Sequence, residues 1–290
     1  MGIEAVKELN DTGKVVMVLQ LDEARVDIRG NNPGWTTLEP VSAMAVPGSI
    51  DFGRYYALVI GNDDYRHLRK LKTAVDDADE VSNLLRELYA FETLDLRNAT
   101  RTELVSALHE FRRTLGPNDN LLIYYAGHGQ LDPETEEGYW LPVDARSDDP
   151  SEWVSNSTVS TMLKGVEAKH VLVVVDSCFA GTLTRSEPWV YQQPDYLEKM
   201  ASKKARVVMT SGGLEPVLDA GGGGHSVFAT QFLRALRENS GVLEAGSVFL
   251  MLRKAVMDNA HQTPEYGPIR FTGHDGGDFL FVARTNPTRD

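Results

Sequence analysis

At 290 residues, 42% of them hydrophobic, the chain is long enough for one large domain, or one domain with an appendage, around a sizeable core. A formal net charge of −13 argues against a nucleic-acid partner, whose phosphates need a basic face, and would favour basic peptides. The single cysteine excludes an internal disulfide framework or multi-thiolate zinc site; no run approaches a membrane span of roughly 20 apolar residues and no secretory signal opens the chain, so a cytoplasmic protein that binds neither nucleic acid nor membrane is expected.

Residues 1–53 read as an appendage. Lys14 to Leu21 is a strand-like apolar run, and Ala24 to Ile28 alternates weakly. Asn31-Asn32-Pro33-Gly34 is a strong turn, and Ser42 to Ser49 reads as a linker, so a β-hairpin-like segment is expected. From Tyr55 the pattern becomes regular. A strand over Tyr55 to Ile60 precedes a helix over Ala74 to Tyr89, where Val81, Leu84, Leu85 and Leu88 share a helical spacing. A strand over Glu92 to Leu96 follows. The next helix is capped by Thr100, with Glu103 completing a capping box, and runs to Leu115. Buried strands are expected over Asn120 to Tyr125, His170 to Asp176 and Ala205 to Thr210, with a short strand over Tyr139 to Val143 and a helix over Ser157 to Leu163. Residues 182–204, polar and aromatic with Pro188 and Pro194, read as a long exposed loop. Beyond the glycine run 221–224 come helices over Ser226 to Arg237 and Ser247 to Asn259, then a closing strand over Phe279 to Val282. Strands alternating with helices imply an α/β fold: a mainly parallel sheet with helices on both faces.

Open parallel sheets form their sites at the carboxyl ends of the strands. Two buried strands each deliver one reactive side chain there. One ends in Ala126-Gly127-His128-Gly129, the other in Asp176-Ser177-Cys178-Phe179-Ala180-Gly181. A thiol is a weak nucleophile until an imidazole takes its proton, and that imidazole can then protonate a leaving amine. The backbone N–H groups of Gly129 and Cys178 are candidates for an oxyanion hole. A lone cysteine at a strand end is usually a small buried residue, and a lone histidine is usually structural. The joint pattern, fifty residues apart on two matched strand ends, outweighs both readings. The glycine run lacks the Lys-Ser or Lys-Thr of a phosphate loop, and His225 beside it reads as a loop residue near the cleft.

On these motifs the chain resembles the caspase-like cysteine peptidases, and within them the bacterial metacaspase-like branch. The resemblance covers about Tyr55 to Val282. Its motifs are Tyr55 to Asn62, Leu71 to Ala78, Tyr124 to Gly129 and Val173 to Gly181. It implies a caspase-like three-layer sandwich, with a mostly parallel six-stranded sheet between helices, over residues 54–284. These divide into a large portion of about 54–181, a linker 182–204 and a small portion 205–284. It also implies His128 as general base and Cys178 as nucleophile.

The Gln-Ala-Cys string of animal caspases is replaced here by Asp176-Ser177-Cys178. Those enzymes cut after aspartate, whereas metacaspases cut after Arg or Lys. Asp176 and Asp77 match the acidic residues of the metacaspase S1 pocket, where a carboxylate pairs with a guanidinium through parallel hydrogen bonds. The plain alternative for Asp77 is a solvated first-turn helix residue. Where the family often has serine two before the histidine, this chain has Ala126. Arg185, Lys199, Lys203 and Lys204 are candidate self-cleavage positions. The acidic pair that binds calcium in many metacaspases is absent at Ser155-Asn156-Ser157, leaving Asp144, Asp148, Asp149 and Glu152 as candidates; an exposed acidic loop is the commoner explanation, and no cofactor is required. The resemblance further implies protein or peptide substrates with a basic residue before the scissile bond (P1), a regulatory protein partner, a monomer, and a role in regulated proteolytic signalling, cell death or defence. The rival readings are a catalytically idle scaffold of the same fold and a redox-sensing Cys178.

Overall fold

The computed structural model describes residues 44–177, 196–212, 224–260 and 262–284, and the backbone of three strands within residues 1–42. The chain forms two units, 1–42 and 43–290. In the first, β1 (Gly2–Leu9) pairs antiparallel with β2 (Val15–Leu21) and parallel with β3 (Arg25–Val26). β2 is the apolar run expected from the sequence. Its partner β1 was not legible, and the expected turn at 31–34 lies outside the described residues.

The boundary after Ser42 precedes the one expected after Gly53. Residues 44–52 already belong to the second unit. Met44 exchanges backbone hydrogen bonds with Val242 at 2.9 and 2.7 Å. Val46, Ile50 and Phe52 pack against the buried side chains of Ala201, Val242 and Leu280.

The second unit runs β4 (Arg54–Gly61), α1 (Ala74–Tyr89), β5 (Glu92–Arg97), α2 (Arg101–Thr114), β6 (Asp119–Ala126), β7 (Gly129–Asp132), β8 (Glu137–Trp140), β9 (Val154–Ser155), α3 (Asn156–Lys164), β10 (His170–Asp176), α4 (Tyr196–Ser202), β11 (Ala205–Thr210), α5 (Val227–Glu238), β12 (Val242–Glu244), α6 (Ala245–Asn259), β13 (Glu265–Pro268) and β14 (Leu280–Val282). Six strands form the central sheet in the order β13-β11-β10-β6-β4-β5. All neighbours are parallel except β13, which runs antiparallel to β11.

The continuous apolar runs of the central strands follow from burial on both faces. In β10, Leu172 and Val174 point into one core with Val81 and Leu85 of α1, Phe228 and Phe232 of α5 and Val248 of α6. Val171, Val173 and Val175 point into the other, with Leu104, Leu108 and Phe111 of α2 and Val159 and Leu163 of α3. The helices thus form the outer layers of the expected sandwich. Thr100 caps α2 with the expected capping box.

Four features differ from expectation. The sixth strand of the sheet is β13, Glu265–Pro268, which is short, carries a glycine and ends in proline. The closing strand expected at 279–282 instead pairs with β12, off the main sheet. The short strand expected at 139–143 is β8, in a small antiparallel sheet β7-β8-β9. The loop expected over 182–204 contains α4, which buries Ala201; residues 182–195 lie outside the described residues. Among the described residues, no helix is long and apolar enough to cross a membrane.

Candidate active site

The pairing register brings the two motif-bearing strands out level. Val175 lies opposite Tyr125 and Asp176 opposite Ala126. The Gly127 N–H reaches across to the Asp176 carbonyl at 3.4 Å. His128 and Cys178 therefore each follow by two residues the last paired position of adjacent parallel strands. Cys178 itself lies outside the described residues, as does Arg185.

His128 is held by its backbone and by its ring. Its N–H donates to the Tyr65 hydroxyl at 2.7 Å. Its carbonyl accepts from the Tyr125 hydroxyl at 2.7 Å and from the Leu141 N–H at 3.0 Å. The ring centroid lies 4.6 Å from that of Tyr65, and Nε2 lies 2.7 Å from the Arg69 carbonyl oxygen. A carbonyl can only accept, so Nε2 carries the hydrogen and Nδ1 is the basic nitrogen of the neutral ring. A Cβ on Gly127 would come within 2.7 Å of the Tyr65 hydroxyl and 2.9 Å of the Tyr125 hydroxyl. The glycine before His128 is what lets both tyrosines close around the turn.

The ladder also orients Gly129. Because the Leu141 N–H bonds the His128 carbonyl, residues 128 and 141 form a hydrogen-bonded position. Gly129 and Trp140, paired next to them, then occupy a non-hydrogen-bonded one. The Gly129 N–H points away from β8, as an oxyanion donor must.

Asp77 and Asp176 come together through one residue, Ser226. Asp77, in the first turn of α1, is buried. It accepts from the Ser226 N–H at 3.3 and 3.2 Å, and its Oδ1 lies 2.6 Å from His225 Nδ1. Asp176, also buried, accepts from the Ser226 hydroxyl at 2.5 Å. Burial raises the pKa of both carboxyls. That of Asp176 reaches about 7, with the charge of Asp77 adding to the rise and the Ser226 hydroxyl opposing it. Among the described residues neither carboxylate pairs with Lys or Arg, and Asp176 Oδ1, Tyr124 Oη, Thr210 Oγ1 and Ser211 Oγ have no hydrogen-bond partner. Asp77 is thus not the solvated first-turn residue of the plain alternative. Ala126, buried in the hydrophobic core, offers a methyl group and no polar contact.

Tyr65, Arg69, Tyr125 and Ser226 were missed by sequence reasoning. Only Ser226 left a local signal, as the residue that opens α5. The partners of the others are set by tertiary contacts.

Other expected roles are not supported by placement. Asp144 accepts from the Arg101 N–H at the start of α2 at 3.1 Å. Asp149 caps the 3-10 turn Pro150–Glu152, and exposed Asp148 faces Arg146 at 3.8 Å. These acidic residues do not converge with Glu152 as calcium ligands: among the described residues, no group of three His, Cys, Asp or Glu side chains is placed to hold a metal. Lys199 is inside α4 rather than in an open loop. The Lys203 and Lys204 carbonyls accept hydrogen bonds from His170 and the Asp275 N–H, at 3.1 and 2.9 Å. Lys199 and Lys203 are exposed, but a peptidase needs an extended segment with free backbone, and these positions are helical or have their carbonyls engaged. His225 lies in the loop before α5, as expected, and there its ring is a partner of Asp77.

Residues 54–271 match the family model for the caspase domain. The chain is 28% identical over 202 residues to metacaspase-1 of Pyricularia oryzae, covering 61% of this chain and 49% of that protein. It is 35% identical over 127 residues to human mucosa-associated lymphoid tissue lymphoma translocation protein 1, covering 42% of this chain and 15% of that one. It thus spans about half or less of the length of these curated relatives. In three dimensions it superposes on caspase-1 from Spodoptera frugiperda with a TM-score of 0.54 at 14% identity, over 86% of this chain and 94% of that one, a likeness of fold.

Proposed function

Since the chain belongs to the caspase-domain family, we propose that it is a metacaspase-type cysteine endopeptidase that cleaves peptide bonds after Arg, and less readily after Lys. The observation that carries this specificity is the buried pair Asp77 and Asp176, joined through Ser226, with Asp176 Oδ1 unpartnered among the described residues. A guanidinium entering beside them would supply parallel N–H donors and the missing positive charge. An aspartate side chain would meet like charge. The proposed setting is a regulated proteolytic response to a death or defence signal, acting on protein substrates with exposed basic residues.

In the proposed reaction His128 Nδ1 takes the Cys178 proton, and the thiolate sulfur attacks the carbonyl carbon of the bound Arg. The oxyanion is held by the N–H groups of Gly129 and Cys178. The C–N bond then breaks, and the leaving amine takes its proton from His128. A water molecule gives a proton to His128 and attacks the thioester, releasing the acid and restoring the thiol. The Arg69 carbonyl keeps the ring in the tautomer this cycle needs. No cofactor enters these steps.

A fluorogenic peptide with Arg at P1 should be cut, a matched peptide with Asp should not, and Cys178→Ala should abolish cleavage. Equal cutting of the Asp peptide overturns the pocket assignment. A folded protein that neither cleaves the Arg peptide nor is labelled by an Arg-based electrophile is the idle scaffold instead.

A further inference from the structure

Ser226 is 3% exposed and sits where three elements meet. As N-cap of α5, its Oγ accepts from the Ala229 N–H at 2.8 Å. A serine hydroxyl has one hydrogen, and here it goes to Asp176, at the end of β10. The Ser226 N–H faces both oxygens of Asp77, from α1. An N-cap needs only its lone pair to serve its helix. The donor side of this cap is spent on carboxylates from two other elements.

We propose that Ser226 is a positioning residue for P1 recognition, fastening Asp176 and Asp77 to the start of α5 and leaving Asp176 Oδ1 as the acceptor that meets the guanidinium. This rests on the reading of the two carboxylates as the P1 pocket. Asp77 Oδ1 already faces His225 Nδ1 and the Ser226 N–H. Asp176 Oδ1 is the open acceptor of the pair among the described residues. The groups facing Asp176 are Asp77 from α1, Tyr124 from β6, Ser211 after β11, and Ser226, with His225 beside it on Asp77. Asp77 disfavours a second negative charge here; the Ser211 hydroxyl lies close enough to favour one weakly, though not in good hydrogen-bond geometry with any described residue. The Ser226 hydroxyl, at 2.5 Å, is the stronger of two hydroxyls that favour ionised Asp176, and Ser211 is the weaker.

The test compares Ser226→Gly with Ser226→Thr in the full chain. Glycine removes the hydroxyl while remaining a tolerable N-cap; threonine keeps it. Each is assayed on matched fluorogenic peptides with Arg or its neutral isostere citrulline at P1, and for alkylation of Cys178 by iodoacetamide. The glycine variant should lose roughly tenfold or more of the Arg-over-citrulline preference, mainly through KM for the Arg peptide. The acid limb of that preference should move to higher pH, with alkylation retained, and threonine should restore both. Should the glycine variant fail to fold, Ser226→Ala takes its place. An unchanged preference in the hydroxyl-free variant, or an equal loss on both peptides, overturns the proposal while the pocket reading stands. If the wild type cuts both peptides equally, the pocket reading fails and this inference with it. That outcome is seen before any variant is made.

Discussion

Two charged side chains are buried at opposite ends of neighbouring strands, and they are treated in opposite ways. Arg206, near the amino end of β11, donates from Nη1 and Nη2 to the carbonyls of Val166, Ala168, Lys169 and Ala205 at 2.7–3.1 Å. Burial lowers its pKa only to about 10, so it stays charged at neutral pH. Asp176, at the carboxyl end of β10, receives the Ser226 hydroxyl and leaves its other oxygen open among the described residues. Partners supplied by the backbone cannot leave, so Arg206 fastens the α3–β10 connection to β11. A charge left short of partners attracts one from outside. Burial is alike at the two sites, and each leaves one polar atom without a partner among the described residues, Arg206 Nε and Asp176 Oδ1; four backbone carbonyls already take up the charge of Arg206, whereas one hydroxyl serves Asp176.

The largest expected effects exchange the two charges for neutral groups. Asp176→Asn should lower kcat/KM on a P1-Arg peptide by about 10²–10³, the effect of removing one partner from a desolvated charge pair, without lowering stability at neutral pH. Arg206→Met should do the reverse. It strands four buried carbonyls and should destabilise the fold by about 3 kcal/mol or more in urea unfolding, with kcat/KM per folded molecule changed only a few-fold. A stable Arg206→Met protein that had lost its P1 preference would break the comparison.

The same division explains what the sequence made legible. Apolar runs buried on both faces marked β4, β6, β10 and β11, periodicity marked α1 and α5, and a capping box marked α2, because those signals are local. β13 was missed because an edge strand needs few apolar residues. β1 was missed for want of clear alternation in Gly2–Leu9. In the site, His128 stood out as a reactive type at a strand end, while Asp77 and Asp176 were marked only by the family resemblance. The hold on His128 by Tyr65 and Arg69, and the bridge by Ser226, depend on contacts between elements distant in sequence, which no local pattern encodes.

Intermediate effects come from pH, and the two ends of the sheet have opposite signs. The folded protein holds a proton on Asp176 up to about pH 7, and the unfolded chain releases it near 4. The stability this gives is complete below about pH 4 and is lost as pH rises through 7. His170, at the amino end of β10, has its pKa lowered from 6.5 to about 4 by burial. Its contribution is complete above about 6.5 and is lost as pH falls through 4. Asp176→Asn should therefore flatten part of the neutral side of the stability profile, where Glu244 and Asp278, raised to about 7 and about 6, still contribute. His170→Asn should flatten the acid side. The P1 preference runs against Asp176's stability term. The Arg-over-citrulline ratio, from which the pH dependence of the dyad cancels, should fall as pH drops below about 7, while the proton on Asp176 favours folding. A ratio constant from pH 5 to 8 would separate Asp176 from recognition.

The smallest effect sharpens the contrast most, because it sets two helix caps of the same chemistry side by side. Thr100 caps α2 as Ser226 caps α5. The Thr100 hydroxyl accepts from the Glu103 N–H at 3.4 Å and donates to the Glu103 carboxylate at 2.7 Å, and that carboxylate also takes the Thr100 N–H at 2.8 Å. All of these partners belong to the helix itself and lie at the surface. Thr100→Ala should cost about 1 kcal/mol, a fall in Tm of roughly 2–4 °C for a domain of this size. It should leave the Arg-over-citrulline ratio and its pH dependence as in the wild type. Removing the Ser226 hydroxyl is expected to move both. A cap whose hydrogen returns to its own helix reports only on folding; one whose hydrogen reaches a buried carboxylate of another element reports on what that carboxylate binds. If Thr100→Ala shifted P1 preference as much as the Ser226 change, the preference would be following general loosening of the fold rather than the charge and placement of Asp176.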